Sequence, residues 1–453
     1  MGSDEITISA GFIALRYHPI MNASYPAKPS CPYSEHVDSM RGHARADACE
    51  QMPEFKLAKR VTSIQPSPST AAAARARELK AAGRDIVDMT VGEPDFDTPD
   101  IIKDAGIAAI HDGKTKYTAV NGILELRQAI AGRMQRHTGI DYPLEQITVG
   151  GGGKQIIFLA LMASIDNNDE VIIPAPYWVS YPDMVVANEG KPVIVACPEE
   201  DGFKLRPEAL EAAITPKTRW LILNTPSNPT GAVYTADELK ALGKVLERHP
   251  HVLVLTDEIY DEIWFGEGRL LSLVEAVPHL KDRVFVVNGV SKSYAMTGWR
   301  LGYGVGPLPL VNAINKLQSQ ISSCPSSISQ AAAAAALDGN QRFVTESCAA
   351  YRRRRDIAVE RLNAVPGLSC LAPDGAFYIF VNCAGAIGKG TADGEYRIRN
   401  DLDFVLYLLD SGVAAIHGAA YGLSPYFRLS IATSEDLIRE ACKRISAACA
   451  ALQ

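Results

Sequence analysis

The stretch VFVVNGVSKSYAMTGWRLGYGVGP, residues 284–307, holds the reading of the fold in miniature. It opens on a run of β-branched and aromatic residues, as a buried strand does, then breaks into small and hydroxyl-bearing residues around a lone lysine, Lys292. Arg300 follows, and the run closes on glycines 302, 304 and 306. Two cations among such apolar and small neighbours do not make a simple solvated face. The same form, an apolar strand ending in polar residues, repeats upstream as QITVGG, EVIIPA, KPVIVAC, RWLILNTP and HVLVLTDE. Buried strands alternating with helical segments predict an α/β domain with a mostly parallel sheet. In such sheets functional groups gather where strands end. Here those ends carry Gly152, Gly153, Lys154, Asn228, Asp257 and Lys292.

The totals bound the rest. A chain of 453 residues exceeds one small core, so a large domain with a smaller one is expected. Hydrophobic content of 47% and charged content of 21% suit a soluble globular protein. A formal net charge of −7 argues against nucleic acid as a partner, and no apolar run reaches the ~20 residues of a membrane span. The nine cysteines are scattered with no Cys-x-x-Cys pair, which predicts reduced thiols in a cytoplasm. The nine histidines form no metal-spaced pair, so no metal site is expected. Residues 1–51 lack periodicity, and their acids (Asp4, Glu5, Glu35, Asp38, Asp47, Glu50) do not fit a transit peptide. They read as a disordered extension, with Met52 as an alternative start.

Residues 52–98 read as an N-terminal arm and part of the small domain, with STAAAARARELKAAG a helix stopped by Gly83. Residues 99–340 form the large domain. From 341 to 453 the pattern turns α+β: a long helix around YRRRRDIAVERLNAV, then GAFYIFVNC, VAAIHG, YFRLSIAT and a last helix. The arginines of YRRRRD are expected to spread over a solvated face.

Each chemical group admits two readings. VGGGGKQ (149–155) is not a Walker A loop, since Thr148 and Gln155 stand where glycine and Ser/Thr are needed. It is an anion site at a helix start or a ligand-free tight turn. Asn228, in NTPSNPTGAVY, is a rigidly held amide or a plain turn residue. Asp257, followed by Tyr260, is a functional carboxylate that burial makes costly or a helix cap. Lys292 is a desolvated nucleophile or a snorkelling surface lysine, the latter disfavoured against the dipole of a helix start. Arg428, on an alternating strand, grips a carboxylate with its fork or sits in a structural salt bridge. Jointly, an anion cradle, an asparagine, an aspartate with a tyrosine, and a lysine all finish strands of one sheet. A cofactor with a phosphate, a phenolic oxygen, a ring nitrogen and an aldehyde uses all of them, which describes pyridoxal phosphate.

From about Arg60 to the C-terminus the chain resembles the class I aminotransferases of the fold-type-I pyridoxal-phosphate family, in the bacterial-type aspartate aminotransferase branch. The resemblance rests on GEPDFDTP, GKTKYTAVNGILELR, GGKQ, PAPYWVSYPDM, NTPSNPTGAVY, TDEIYDE, NGVSKSYAMTGWRLGYGVGP, DGAFYIF and FRLSIATS together. It implies a seven-stranded, mostly parallel sheet and a smaller α+β domain. It implies Lys292 as the amine that bonds the cofactor and moves the substrate's proton, with Asp257 on the ring nitrogen. Asn228 and Tyr260 would meet the phenolic oxygen, and Trp178 would stack on the ring. Gly152, Gly153, Lys154 and Arg300 would hold the phosphate, joined by Tyr117 from a second subunit of a cytoplasmic homodimer. Gly92, Trp178, Asn228, Lys154 and Arg428 would contact substrate, with Arg428 on the α-carboxylate. The implied reaction moves an amino group between an amino acid, aspartate or another dicarboxylate, and a 2-oxo acid such as 2-oxoglutarate. Lys154, with hydroxyls near Ser67 and Ser69, would meet the distal carboxylate, though QPSPSTAAA departs from the Pro-Ser-Ala-Thr of relatives. The alternatives are a prephenate or broader aminotransferase, for which Arg60 is a further cation, and a lyase on the same fold.

Overall fold

Twelve strands form three sheets among the described residues of the computed structural model, which are 56–66 and 68–453. The expectations for residues 1–51, Met52, Ser67 and the side chain of Ser69 lie outside them. In chain order, β1 is Val87–Asp88, and the large sheet is built from β2 (Ile147–Gly150), β3 (Glu170–Ala175), β4 (Lys191–Ala196) and β5 (Thr218–Asn224). It continues with β6 (Leu253–Asp257), β7 (Val284–Gly289) and β8 (Gly302–Val305). Its order is β2-β8-β7-β6-β5-β3-β4. All neighbours are parallel except those of β8, which runs antiparallel to both β2 and β7.

Helices cover both faces of this sheet, and that is why its central strands read as unbroken apolar runs. Every residue of β7 is buried. One hydrophobic core forms around Ile172, Leu221, Val254 and Val286, and a second around Val171, Ile222, Leu255 and Phe285, the residues that alternate with them. KPVIVAC is the exception to the expected burial. As β4 it takes the sheet edge with half its residues exposed, Ile194 among them. The stretch LGYGVG, not read as a strand from its sequence, supplies β8.

The antiparallel insertion of β8 places the site. Parallel strands finish at one edge of a sheet, and an antiparallel neighbour starts there. The loop from β7 to β8 therefore leaves and re-enters at the edge where β2, β5 and β6 also end. Lys292 and Arg300 both lie in that loop, which consists of turns and the short 3-10 helix Thr297–Trp299. No helix starts at Lys292, contrary to the dipole argument.

The remaining strands are β9 (Tyr378–Asn382), β10 (Val413–Ala414), β11 (Ile416–His417) and β12 (Tyr426–Ser430). The antiparallel sheet β11-β12-β9 packs around Phe377, Ile379, Phe427 and Leu429. β1 pairs in parallel with β10. The helix Pro68–Ala81 ends as expected, with Gly83 at φ +84° just beyond. Two expectations fail here. β12 is buried at all five positions instead of alternating. Of the four arginines in YRRRRD only Arg352 and Arg353 are exposed, while Arg354 turns inward and grips Asp95 through two hydrogen bonds of 2.8 and 2.9 Å. Helix periodicity sends one residue in each turn to the core side, whatever its charge. Among the described residues no helix is long and apolar enough to cross a membrane, and no cluster of ligating residues is spaced for a metal.

Candidate active site

The strand ends surround a cavity of about 610 Å³. One end is the start of the helix Gly153–Met162. The N–H groups of Gly153 and Lys154, in its first turn, have no intrahelical acceptor and so are available to an anion, whereas that of Gln155 donates to the Gly152 carbonyl at 3.1 Å. Gly152, at φ +103°, makes the turn from β2 into this helix. Arg300 crosses directly above it: a Cβ on Gly152 would lie 2.6 Å from a guanidinium nitrogen. Among the described residues the guanidinium donates only to backbone carbonyls, those of Thr297 at 2.8 Å and Gly151 at 3.3 Å. Gly302 of β8 must also lack a side chain, because a Cβ there would fall 2.2 Å from the Gly153 nitrogen. The turn therefore carries a guanidinium against its backbone, the arrangement that an anion site would need.

Lys154, on the first turn of the same helix, lies over the Trp178 ring at 4.7 Å and donates to the Ser180 hydroxyl at 3.2 Å. Burial, with Arg300 nearby, pulls its ammonium below the usual lysine range. Trp178 lines the cavity and meets Tyr181 edge to face.

Asp257, the last residue of β6, is 6% exposed. No helix follows it, which removes the cap reading. Burial pushes its carboxyl up to about 6, opposed by a hydrogen bond from Tyr181, the Ile259 N–H and the charge of Lys292. The Tyr181 hydroxyl donates to Oδ2 at 2.7 Å. Asn228 follows β5 and is fixed from two sides. Its N–H donates to Asn224 Oδ1 at 2.8 Å, and its own Oδ1 accepts from Arg428 Nη1 at 3.0 Å. Tyr260 shares a 2.9 Å hydrogen bond with the hydroxyl of Tyr378, and burial holds its phenol well above the usual tyrosine range.

Arg428 is 3% exposed and faces this cavity from β12. Besides Asn228 it donates to the carbonyl of Thr90 at 2.7 Å, and its guanidinium lies over the Tyr378 ring at 4.2 Å. Its Nε is buried with no hydrogen-bond partner among the described residues. Among the described residues it pairs with no carboxylate, so the structural salt bridge is excluded. A buried guanidinium with an open donor is a site for an anion yet to arrive.

Lys292 donates to the carbonyl of Gly92 at 2.5 Å. It keeps some surface through the cavity it faces, yet protein encloses it otherwise. Burial lowers its ammonium to about 8, the charges of Arg428 and Arg300 add to this, and Glu93 and Asp257 oppose it. A lysine so enclosed does not snorkel, and its desolvation is what a nucleophilic amine would need.

Thus Gly92, Gly153, Lys154, Trp178, Asn228, Asp257, Tyr260, Lys292, Arg300 and Arg428 line one cavity, with Gly152 beneath Arg300. Tyr117 is not among them; it is 89% exposed. Arg60 sits at the surface beside Glu189. Sequence reasoning missed Tyr181 and Tyr378. Both lie in motifs it quoted, PAPYWVSYPDM and DGAFYIF, but only folding aims their hydroxyls at Asp257 and Tyr260. The donor set fits pyridoxal phosphate: a helix start with an arginine that meets no carboxylate among the described residues, a buried carboxylate able to hold a ring N–H, and an amine of depressed basicity.

A profile described as aminotransferase class I and II matches residues 84–445. The aspartate aminotransferase of Rhizobium meliloti strain 1021 is 52% identical over 396 residues, covering 87% of this chain and 96% of that protein. A crystal structure of an aspartate aminotransferase from Rhizobium meliloti is 52% identical and covers 88% of this chain and 100% of its own, with a TM-score of 0.86. The aspartate/prephenate aminotransferase of Cereibacter sphaeroides is 51% identical over 397 residues, 87% of this chain and 99% of its own. A Thermus thermophilus aspartate aminotransferase, solved with maleate, is 39% identical, with a TM-score of 0.81 over 87% of this chain and 99% of that one.

Proposed function

The chain belongs to the class I and II aminotransferases, which depend on pyridoxal phosphate, and from that premise we propose that it moves the amino group of aspartate to 2-oxoglutarate. The observation that carries the proposal is Arg428, a buried guanidinium with an open Nε and no carboxylate partner among the described residues. It supplies the fork for a substrate α-carboxylate. Lys154, partly desolvated over Trp178, supplies a second cation for a distal carboxylate. The relative solved with maleate, a dicarboxylate, is consistent with two cations facing one ligand.

Bound pyridoxal phosphate supplies an aldehyde that condenses with amines and a ring that withdraws electrons from the substrate's Cα. In this reading Gly152, the first-turn N–H groups of Gly153 and Lys154, and Arg300 would hold its phosphate, Asp257 its ring N–H, and Asn228 and Tyr260 its phenolic oxygen, which leaves the Lys154 ammonium to the substrate. Trp178 covers one face. Arg428 and the Gly92 backbone orient the substrate so that its Cα–H bond faces Lys292. Lys292, whose amine is partly neutral near pH 8, takes the proton from Cα and returns it.

We also read the protein as a cytoplasmic homodimer. The seven described cysteines are free, and Tyr117 is exposed, as a residue serving a second copy's site must be. A division into large and small domains near residue 340 is supported by separate sheets over 147–305 and 378–430. Prephenate is a second amino acceptor to test, because a 51% identical relative is named for both activities.

The test is product analysis of purified enzyme with aspartate and 2-oxoglutarate. Equimolar oxaloacetate and glutamate are expected, together with borohydride-fixed cofactor on Lys292. Aspartate consumed without glutamate would indicate a lyase. No turnover with aspartate as donor to either 2-oxoglutarate or prephenate would overturn the substrate assignment.

A further inference from the structure

The loop from Lys292 to Arg300 is held in a conformation that it does not choose for itself. Ala295 has φ +52° and Arg300 φ +53°, left-handed backbone that residues with a Cβ rarely adopt. Such residues persist only where surrounding structure over-determines them. Tyr294 is tied to Gln341 and Arg300 to the Gly151 carbonyl, and a third restraint comes from one short segment, GEPDFDT, residues 92–98. The Thr98 hydroxyl donates to the Ala295 carbonyl at 2.6 Å and accepts from the Trp299 indole N–H at 3.1 Å. The Thr297 hydroxyl donates to the Glu93 carboxylate at 2.8 Å. None of these three bonds uses the Lys292 amine, so they are independent of what that amine carries.

The segment is in turn tied down at its centre. Asp95 receives both arms of Arg354, at 2.8 and 2.9 Å, and the guanidinium lies 5.0 Å from the centre of the Phe96 ring. Arg354 belongs to the long helix Arg342–Asn363, and Phe96 packs edge to face on two further residues of that helix, Phe343 and Tyr351. A two-pronged, largely buried ion pair fixes direction as well as distance.

We propose that Asp95 and Arg354 are positioning residues for Lys292, acting through segment 92–98 to couple the helix Arg342–Asn363 to the loop that carries the reacting amine. The inference rests on the reading of Lys292 as that amine, but its test does not. Hydrogen–deuterium exchange is compared in the holoenzymes of wild type, Asp95→Asn and Thr98→Val. Asp95 is exposed over part of its surface and Thr98 is in a loop, so neither substitution removes core volume.

Both variants are expected to raise exchange in peptides covering 291–300 by about threefold or more while leaving β5 and β6 unchanged. Cofactor affinity, read by fluorescence, should weaken about tenfold as the loop loses its pose. The charge-reversed pair Asp95→Arg with Arg354→Asp should recover part of both effects. If Asp95→Asn raises exchange only in 92–98 and the helix Arg342–Asn363, with loop exchange and cofactor affinity at wild-type values, the ion pair merely tacks a helix and the proposal is wrong. Failure of borohydride to label Lys292 would refute the amine assignment and leave the exchange result standing on its own.

Discussion

Asp257 is a carboxylate that its surroundings make expensive to ionise. Burial raises it from about 3.8 to about 6, a difference worth about 3 kcal/mol. The sign follows from proton counting. Between those two values the folded apoprotein binds a proton that the unfolded chain has released, so stability is lost as pH rises from about 4 through about 6. Asp257→Asn removes this dependence. Denaturant titrations of the two apoproteins should show the variant gaining on wild type by about 3 kcal/mol across that window. A constant difference with pH would mean that Asp257 ionises normally in the fold. In the holoenzyme the same variant should lose most of its activity, because an amide does not hold a ring N–H with a charge. The aspartate was legible as a candidate in TDEIYDE, since a strand end needs a reason for a carboxylate. Its hydroxyl partner was not, because Tyr181 is remote in sequence and local pattern says nothing about aim.

At the level of elements, the phosphate end of the site depends on how closely β8 approaches the helix Gly153–Met162. Gly302 permits it: there is no room for a methyl group against the Gly153 backbone. Gly302→Ala should therefore destabilise the fold by about 3 kcal/mol in urea titration and weaken cofactor retention, because backbone cannot yield as a flexible side chain can. Gly298→Ala, where a Cβ meets nothing within 4 Å, is the stability control and should be nearly neutral. Equal effects at the two glycines would refute the close-approach argument. The strands β3, β5, β6 and β7 were readable as buried apolar runs. β8 was not, being four residues of glycine, tyrosine and valine without an apolar run. β4 was read as buried because composition does not distinguish a central strand from an edge. Arg354 was assigned to solvent for a similar reason: charge pattern reports the average face of a helix, not which residue meets Asp95.

For the whole molecule, the exposed Tyr117 and a cavity lined by one chain's residues make a prediction about assembly. If the sites are shared between two copies, Lys292→Ala and Tyr117→Ala proteins should each be weak alone. Refolded together in equal amounts, they should recover about a quarter of wild-type sites, since half the dimers are mixed and each mixed dimer holds one intact site. Recovery no greater than the sum of the separate activities would rule out sharing. By itself the sequence determined the α/β class, the strand ends as the place of chemistry, and the residue types that match a phosphate, a ring nitrogen and an aldehyde. These are local properties, carried by periodicity and by motifs within a dozen residues. Only the tertiary structure decided that β8 runs antiparallel, which brings Lys292 and Arg300 to the edge where Asp257 ends its strand. It alone left Arg428 without a carboxylate among the described residues and aimed Tyr181 and Tyr378. Those facts depend on contacts between residues far apart in the chain, and burial and charge pairing are decided by such contacts.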